Sequence, residues 1–340
     1  MKKITIKDVA KDAGVSLAIA SFALNNVQGR VSKEVREKVL ASSKRLGYVP
    51  NAFARSLRGV RSDTIALIYD EEHLEERNSS TLQFVANTIK YAKKKSKDIL
   101  VKLIGDRVDW NTATQEFIQL SASQKVEGII FHCDLPGEDF LSAMEKNNVN
   151  YVHIPQINER MDGFNSVSVN HKQMMLSGLD FISEKGYGEI YYLTQKKENQ
   201  NIREKAYSTF MEQKCLKGSP LYYYSGYRGK GEIWEAIKHA VENRAEKMAI
   251  ACWNDVDAMN VIDILHSKGI KIPEEIGVMG FDDIPGSEYT VPALTTIRQP
   301  FDEIARLALD IILEQKKEKG NSNVSKSISV SGSIIERESI

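Results

Sequence analysis

The stretch from Ile4 to Asn25 sets two short helices on either side of a single glycine, and that arrangement constrains the chain most. Thr5 can cap a first helix, and Asp8, three residues on, puts a carboxylate in its first turn. Gly14 ends that helix in a tight turn, and Ser16 can cap a second helix running from Leu17 to Asn25. Two short helices joined by a Gly-containing turn is the helix-turn-helix plan, although an ordinary helical hairpin has the same local pattern. Charge separates the two readings. Residues 1–62 hold 13 Lys or Arg against 4 Asp or Glu, a net +9. The whole chain balances 46 basic against 46 acidic side chains, so the remainder carries −9. An ordinary solvated surface mixes its signs; a basic head on an acidic body is the footprint of a phosphate-binding element.

A third helix follows. Ser32 can cap it, Glu34 sits in its first turn, Val35, Val39 and Leu46 keep helical spacing, and Gly47 stops it. Beyond Pro50, residues 51–58 read Asn-Ala-Phe-Ala-Arg-Ser-Leu-Arg, where Asn51 can cap a short helix. Eight residues cannot hold a helix alone in water, so on residues alone this is a linker.

From Thr64 onward, apolar runs alternate with helical spacing. Strands are expected at 64–69, 98–104, 126–131, 149–154, 188–193, 247–252 and 275–281. Helical spacing falls at 82–95, 112–124, 171–185, 203–214, 231–243 and 255–268. Alternation of this kind implies βαβ units and parallel sheets, with ligands bound at the carboxyl ends of the strands. The tail from Ile328 to Glu338 reads as one final strand, and no leucine heptads follow it.

Several function classes lack support. The 340-residue chain is 42% hydrophobic and 27% charged, with no apolar run near the ~18 residues that span a membrane. No signal peptide is visible, and Cys133, Cys215 and Cys252 are scattered without metal-ligand spacing. The expectation is a cytoplasmic protein with free thiols, no metal and no cofactor. Gly226-Tyr227-Arg228-Gly229-Lys230-Gly231 fails the P-loop spacing, and no Gly-x-Ser-x-Gly occurs, so an enzyme is not expected.

The chain resembles the lactose-repressor/galactose-repressor (LacI/GalR) transcription regulators. The likeness lies in Thr5-Ile6-Lys7-Asp8-Val9-Ala10, Ala13-Gly14-Val15-Ser16, Arg36-Glu37-Lys38-Val39, Leu46-Gly47-Tyr48, Pro50-Asn51 and Ala54-Arg55-Ser56-Leu57. It returns in Gly280-Phe281-Asp282-Asp283-Ile284-Pro285 and in Leu294-Thr295-Thr296-Ile297-Arg298-Gln299-Pro300. The resemblance implies an all-α helix-turn-helix domain (1–49), a hinge helix and linker (50–62), and a two-lobed α/β periplasmic-binding-protein-like domain (63–340). Lobe one would take about 63–157 and 291–322, lobe two about 158–290 and 323–340.

By the same resemblance, Leu17, Ala18 and Phe22 face base edges in a DNA major groove, while Ser21 and Asn25 bond phosphates. Ala20, Ala23 and Leu24 pack inward. Thr5, Ser16, Asn51, Ala54, Arg55 and Arg58 complete the expected DNA contacts, and Leu57 matches a leucine wedged into the minor groove. Arg203 and Asp255 match family positions that contact an effector, and Trp253 either stacks on a sugar face or belongs to the core. Asp282 is expected to brace its loop and the cleft rather than touch ligand. The implied partners are double-stranded operator DNA, a second copy of the chain, and a small effector such as a sugar or phosphorylated sugar.

The chain also departs from the family pattern. Phe22 stands where Arg is common and Ile19 where Thr is common, which favours A·T contacts over guanine. Glu71 to Ser80 does not match the usual first-lobe turn. Asn170-His171 replaces a familiar Asp-Asn pair, so first-lobe contacts do not carry over.

Overall fold

The computed structural model describes residues 4–25, 29–48, 62–71, 79–105, 108–155, 163–196, 201–224, 230–315 and 325–340. They form two compact units, Met1–Ser62 and Asp63–Ile340. The expected hinge residues Asn51, Ala54, Arg55, Leu57 and Arg58 lie outside the described residues.

The first unit holds α1 (Ile6–Ala13), α2 (Leu17–Leu24) and α3 (Lys33–Leu46). The capping residues act where the sequence puts them. Asp8 accepts from both the Thr5 backbone N–H (2.8 Å) and its hydroxyl (2.7 Å). Ser16 accepts from Ile19 N–H at 3.2 Å and Ser32 from Val35 N–H at 3.4 Å. Gly14 (φ 64°) and Gly47 (φ 66°) close α1 and α3 in left-handed turns that a side chain would strain. Val9, Ala10, Ala13, Ala20, Ala23 and Val39 form the core. The small alanines let three short helices approach closely.

The second unit is built on two six-stranded sheets. The first runs in the order β11 (Ser327–Val330), β5 (Ser166–Val169), β4 (Tyr151–His153), β3 (Gly128–His132), β1 (Thr64–Asp70), β2 (Asp98–Ile104). The second runs β12 (Ser333–Ile335), β10 (Thr295–Arg298), β9 (Ile276–Asp282), β8 (Met248–Cys252), β6 (Glu189–Gln195), β7 (Pro220–Tyr223). Every pairing is parallel except β10 with β12. The helices between them are α4 (Ser79–Lys94), α5 (Trp110–Ala122), α6 (Glu138–Lys146), α7 (His171–Glu184), α8 (Ile202–Lys214), α9 (Lys230–Glu242), α10 (Asp255–Ser267) and α11 (Phe301–Gln315). Central strands such as β8 and β9 are buried along their whole length, as strands covered by helices on both faces must be. Each sheet has a buried apolar cluster on both faces.

The lobe boundaries differ from those expected. The resemblance puts 158–170 in lobe two, yet β5 belongs to the first sheet. It puts 291–298 in lobe one, yet β10 belongs to the second sheet. The tail read as one strand is two: β11 extends the first sheet and β12 the second. The chain therefore crosses between lobes near 170, near 299–300 and at 331–332. The first and third crossings touch: Asn170 N–H donates to Val330 O at 2.8 Å. At Gly332 a Cβ would lie 1.8 Å from Arg298 O, so only glycine allows the third crossing to run this close to the second. Alternating apolar residues on both sides of Gly332 hid that break in the sequence.

Candidate DNA-reading face and interlobe site

On α2, the outward side chains are Leu17, Ala18, Ile19 and Phe22, all exposed. Phe22 does not fold into the core; it is 36% exposed, with Leu17 at 41% and Ile19 at 37%. Ala20 and Ala23 face inward at 0% and 2%. Ser16, exposed, caps α2 by accepting, which leaves its hydroxyl hydrogen to donate. Thr5 is exposed and tied to Asp8. The expectation that Asn25 donates to phosphate meets a different geometry: its Nδ2 donates to Ser21 O (2.8 Å) and Ser21 Oγ (3.3 Å). Its amide hydrogens are spent within the helix.

The interlobe site gathers where strands of the second sheet end. Arg203, in the first turn of α8, is only 4% exposed. Its NH1 donates to Trp253 O at 2.7 Å, and its Nε and NH2 lie 3.3 and 3.2 Å from His171 Nδ1. Its guanidinium carbon sits 3.4 Å from the Phe281 ring centroid and 4.6 Å from that of Trp253. Burial lowers its pKa, and the carboxylates Asp282 and Asp255 oppose that shift. Trp253, half-buried, thus sits at the site by its carbonyl and its ring together. Asn254 caps α10 by accepting from Asp257 N–H at 2.8 Å. Its buried Nδ2 finds no acceptor among the described residues.

Both aspartates brace the structure: Asp255 differs from the expected effector contact, and Asp282 ties the cleft as expected. Asp255 is 0% exposed and accepts from Ile284 N–H (2.8 Å), Ser287 Oγ (2.6 Å) and Thr296 Oγ1 (2.5 Å). A carboxylate used in this way braces the 282–287 loop and has no face left for an effector. Asp282, at the end of β9, is the one beside Arg203. It accepts from Gln299 Nε2 at 2.5 Å and from Ser80 of α4, so it links the lobes. Its φ of 117° is strained for a side-chain-bearing residue. Burial, the largest cause in each case, raises Asp282 to about 7 and Asp255 to about 6. Beside it, Gln83 of α4 donates to Asp283 O at 3.1 Å, a second tie across the lobes. The sequence reading named neither Asn254 nor His171 as a site residue. The His171 signal was present, in the departure from the familiar Asp-Asn pair.

Among the described residues, no group of His, Cys, Asp or Glu has the arrangement of a metal site, and no helix is long and apolar enough to cross a membrane.

A basic helix-turn-helix unit joined to a two-lobed receptor with a polar interlobe site defines a class of DNA-binding regulators. Residues 5–51 match bacterial regulatory proteins of the lacI family, and residues 179–340 match the periplasmic binding protein-like domain. The head is a lacI-family DNA-binding domain and the body a periplasmic-binding-protein-like domain, the two parts of a DNA-binding transcriptional regulator. It is 26% identical to the HTH-type transcriptional regulator RegA of Clostridium saccharobutylicum, over 98% of each chain. It is 27% identical to the HTH-type transcriptional repressor PurR of Escherichia coli O139:H28, over 99% of this chain and 96% of that one. Its fold matches that of the Lac repressor dimer bound to operator and the anti-inducer ONPF, with a TM-score of 0.82 and 22% identity over 99% of each chain. The transcriptional regulator CelR–cellobiose complex matches with a TM-score of 0.64 and 19% identity, again over 99% of each.

Proposed function

We infer that the protein is a cytoplasmic repressor that binds a pseudopalindromic operator as a homodimer. A small effector in the interlobe site, a sugar or phosphorylated sugar of carbohydrate metabolism, switches it. The Arg203–Asn254–Asp282 constellation carries the effector reading. It offers a guanidinium, an uncommitted amide donor and a carboxyl at the carboxyl ends of parallel strands. Sugar hydroxyls both donate and accept, which such a mixed set satisfies, and the Trp253 ring supplies a face for stacking. Relatives of this fold hold cellobiose and lactose.

Two-fold assembly has support from an apolar surface. β2 ends the first sheet, and Leu100, Val101 and Leu103 on it stay 42–43% exposed. On α4 beside it, Leu82 and Ile89 are 62% and 49% exposed. A monomer rarely leaves an edge strand and its neighbouring helix apolar, and a second copy covers both. A dimer of heads then predicts two half-sites about one helical turn apart or a multiple of it. In this reading Leu57 is the minor-groove wedge, Arg55 and Arg58 touch the DNA backbone, and Asn51 and Ala54 belong to the same DNA-binding hinge.

Effectors bias the lobes only through their different affinity for the two lobe arrangements. The test is a panel of neutral and phosphorylated sugars, read by melting temperature and by operator affinity on the same protein. An active sugar raises the melting temperature and changes operator affinity, and Asn254→Ala and Arg203→Ala lose both responses. A panel that moves neither readout removes a sugar as the effector.

A further inference from the structure

We propose that α2 selects its DNA site through thymine C5-methyl groups, with Leu17, Ala18, Ile19 and Phe22 as the reading surface. The inference rests on the DNA-binding reading above and names what that face recognises. α2 runs Leu-Ala-Ile-Ala-Ser-Phe-Ala-Leu without one charged residue. Its inner side is closed by Ala20 and Ala23, while three large apolar side chains stay 36–41% exposed on the outer side. Among the described residues of the first unit, nothing buries them.

The hydroxyls of Ser16 and Ser21 suit either kind of base pair and so select neither. Guanine is selected by paired donors from Arg or Lys, and adenine by Asn or Gln reaching its donor and acceptor together. α2 has no Arg, Lys or Gln, and the amide hydrogens of its C-terminal Asn25 already go to Ser21. In the major groove only thymine presents an apolar group, the C5-methyl. The charge of the head fits the same partner. Lys7, Lys11, Arg30 and Lys33 are exposed in a head of net +9, which draws it to a polyanion. Phosphate contacts supply affinity but carry no sequence information, so selection by α2 falls to the methyls.

The test uses the full-length protein and its selected operator, resynthesised with deoxyuridine in place of thymidine at one position at a time. The exchange deletes the methyl and leaves every hydrogen-bonding edge unchanged. At two or more positions in each half-site, affinity falls about fourfold per methyl, the value of one buried carbon. Phe22→Ala then loses the dependence at the position it reads. Its melting temperature is checked beside it, since an exposed side chain adds little to the fold. An operator whose positions are all indifferent to deoxyuridine overturns the inference while leaving the regulator reading intact. So does a Phe22→Ala variant that changes oligomeric state rather than methyl dependence, because the face is then a protein contact. If the protein selects no site at all, the regulator reading fails and this inference with it.

Discussion

His171 Nδ1 lies 3.3 Å from Arg203 Nε and 3.2 Å from Arg203 NH2, so the imidazole is the acceptor that holds the guanidinium across the site. An acceptor at Nδ1 places the ring proton on Nε2. The arrangement makes His171, the first residue of α7, a positioning residue for Arg203. His171→Phe keeps the ring and removes the acceptor. A buried hydrogen bond to a charged group contributes about 2 kcal/mol, and its loss lets the guanidinium move between the Trp253 and Phe281 rings. The expected result is about tenfold weaker effector binding by calorimetry, with ligand-free operator affinity retained.

Asp255 provides the contrasting case. Replacement by Ala strands Ile284 N–H, Ser287 and Thr296 in the interior, at a cost of about 3 kcal/mol. Chemical denaturation of Asp255→Ala is expected to show that loss in overall stability. An effector-contacting Asp255 would instead give normal stability and a selective loss of effector affinity.

Stability is expected to depend on pH through Asp282. Its ordinary value is 3.8, and burial raises it to about 7 in the folded chain. Between those values the folded protein keeps a proton that the unfolded chain has released. Stability from this group is therefore full below pH 3.8 and lost as pH rises, by at most about 1.4 kcal/mol per pH unit until the curve flattens above 7. Asp255 adds the same sign over the narrower window from 3.8 to about 6. Asp282→Asn removes the larger contribution. Urea midpoints taken from pH 4.5 to 8 should show the variant gaining on the parent chain as pH rises. A constant difference contradicts the assignment.

Gly332→Ala brings a Cβ within 1.8 Å of Arg298 O and 2.7 Å of Met174 Cε. The backbone at the third crossing must move, at a cost of about 3 kcal/mol. A melting temperature lowered by several degrees is expected, and an unchanged one would mean the crossings do not run in contact.

The head was largely legible in the sequence because its signals are local. Thr5, Ser16, Ser32, Gly14 and Gly47 act on residues within a turn of themselves, so each could be placed by spacing alone. The alternation of strands and helices was readable for the same reason. Lobe membership was not. Whether β5 and β10 join one sheet or the other depends on pairings between separate segments, β10 with β12 about 40 residues on and β5 with β11 about 160 residues on. The bracing role of Asp255 was hidden likewise. Asp255 and Asp282 both lie at strand ends with acidic neighbours, and only the three donors around Asp255 and the Arg203 side of Asp282 separate them.

The central claim is that this is a sequence-specific, effector-switched regulator, and selection of genomic DNA fragments by the purified full-length protein at physiological salt tests it most directly. The account predicts enrichment of one pseudopalindrome with two matching half-sites, bound by a dimer and weakened steeply by added salt. Fragments retained in proportion to length, with no shared motif at any salt concentration, would contradict it.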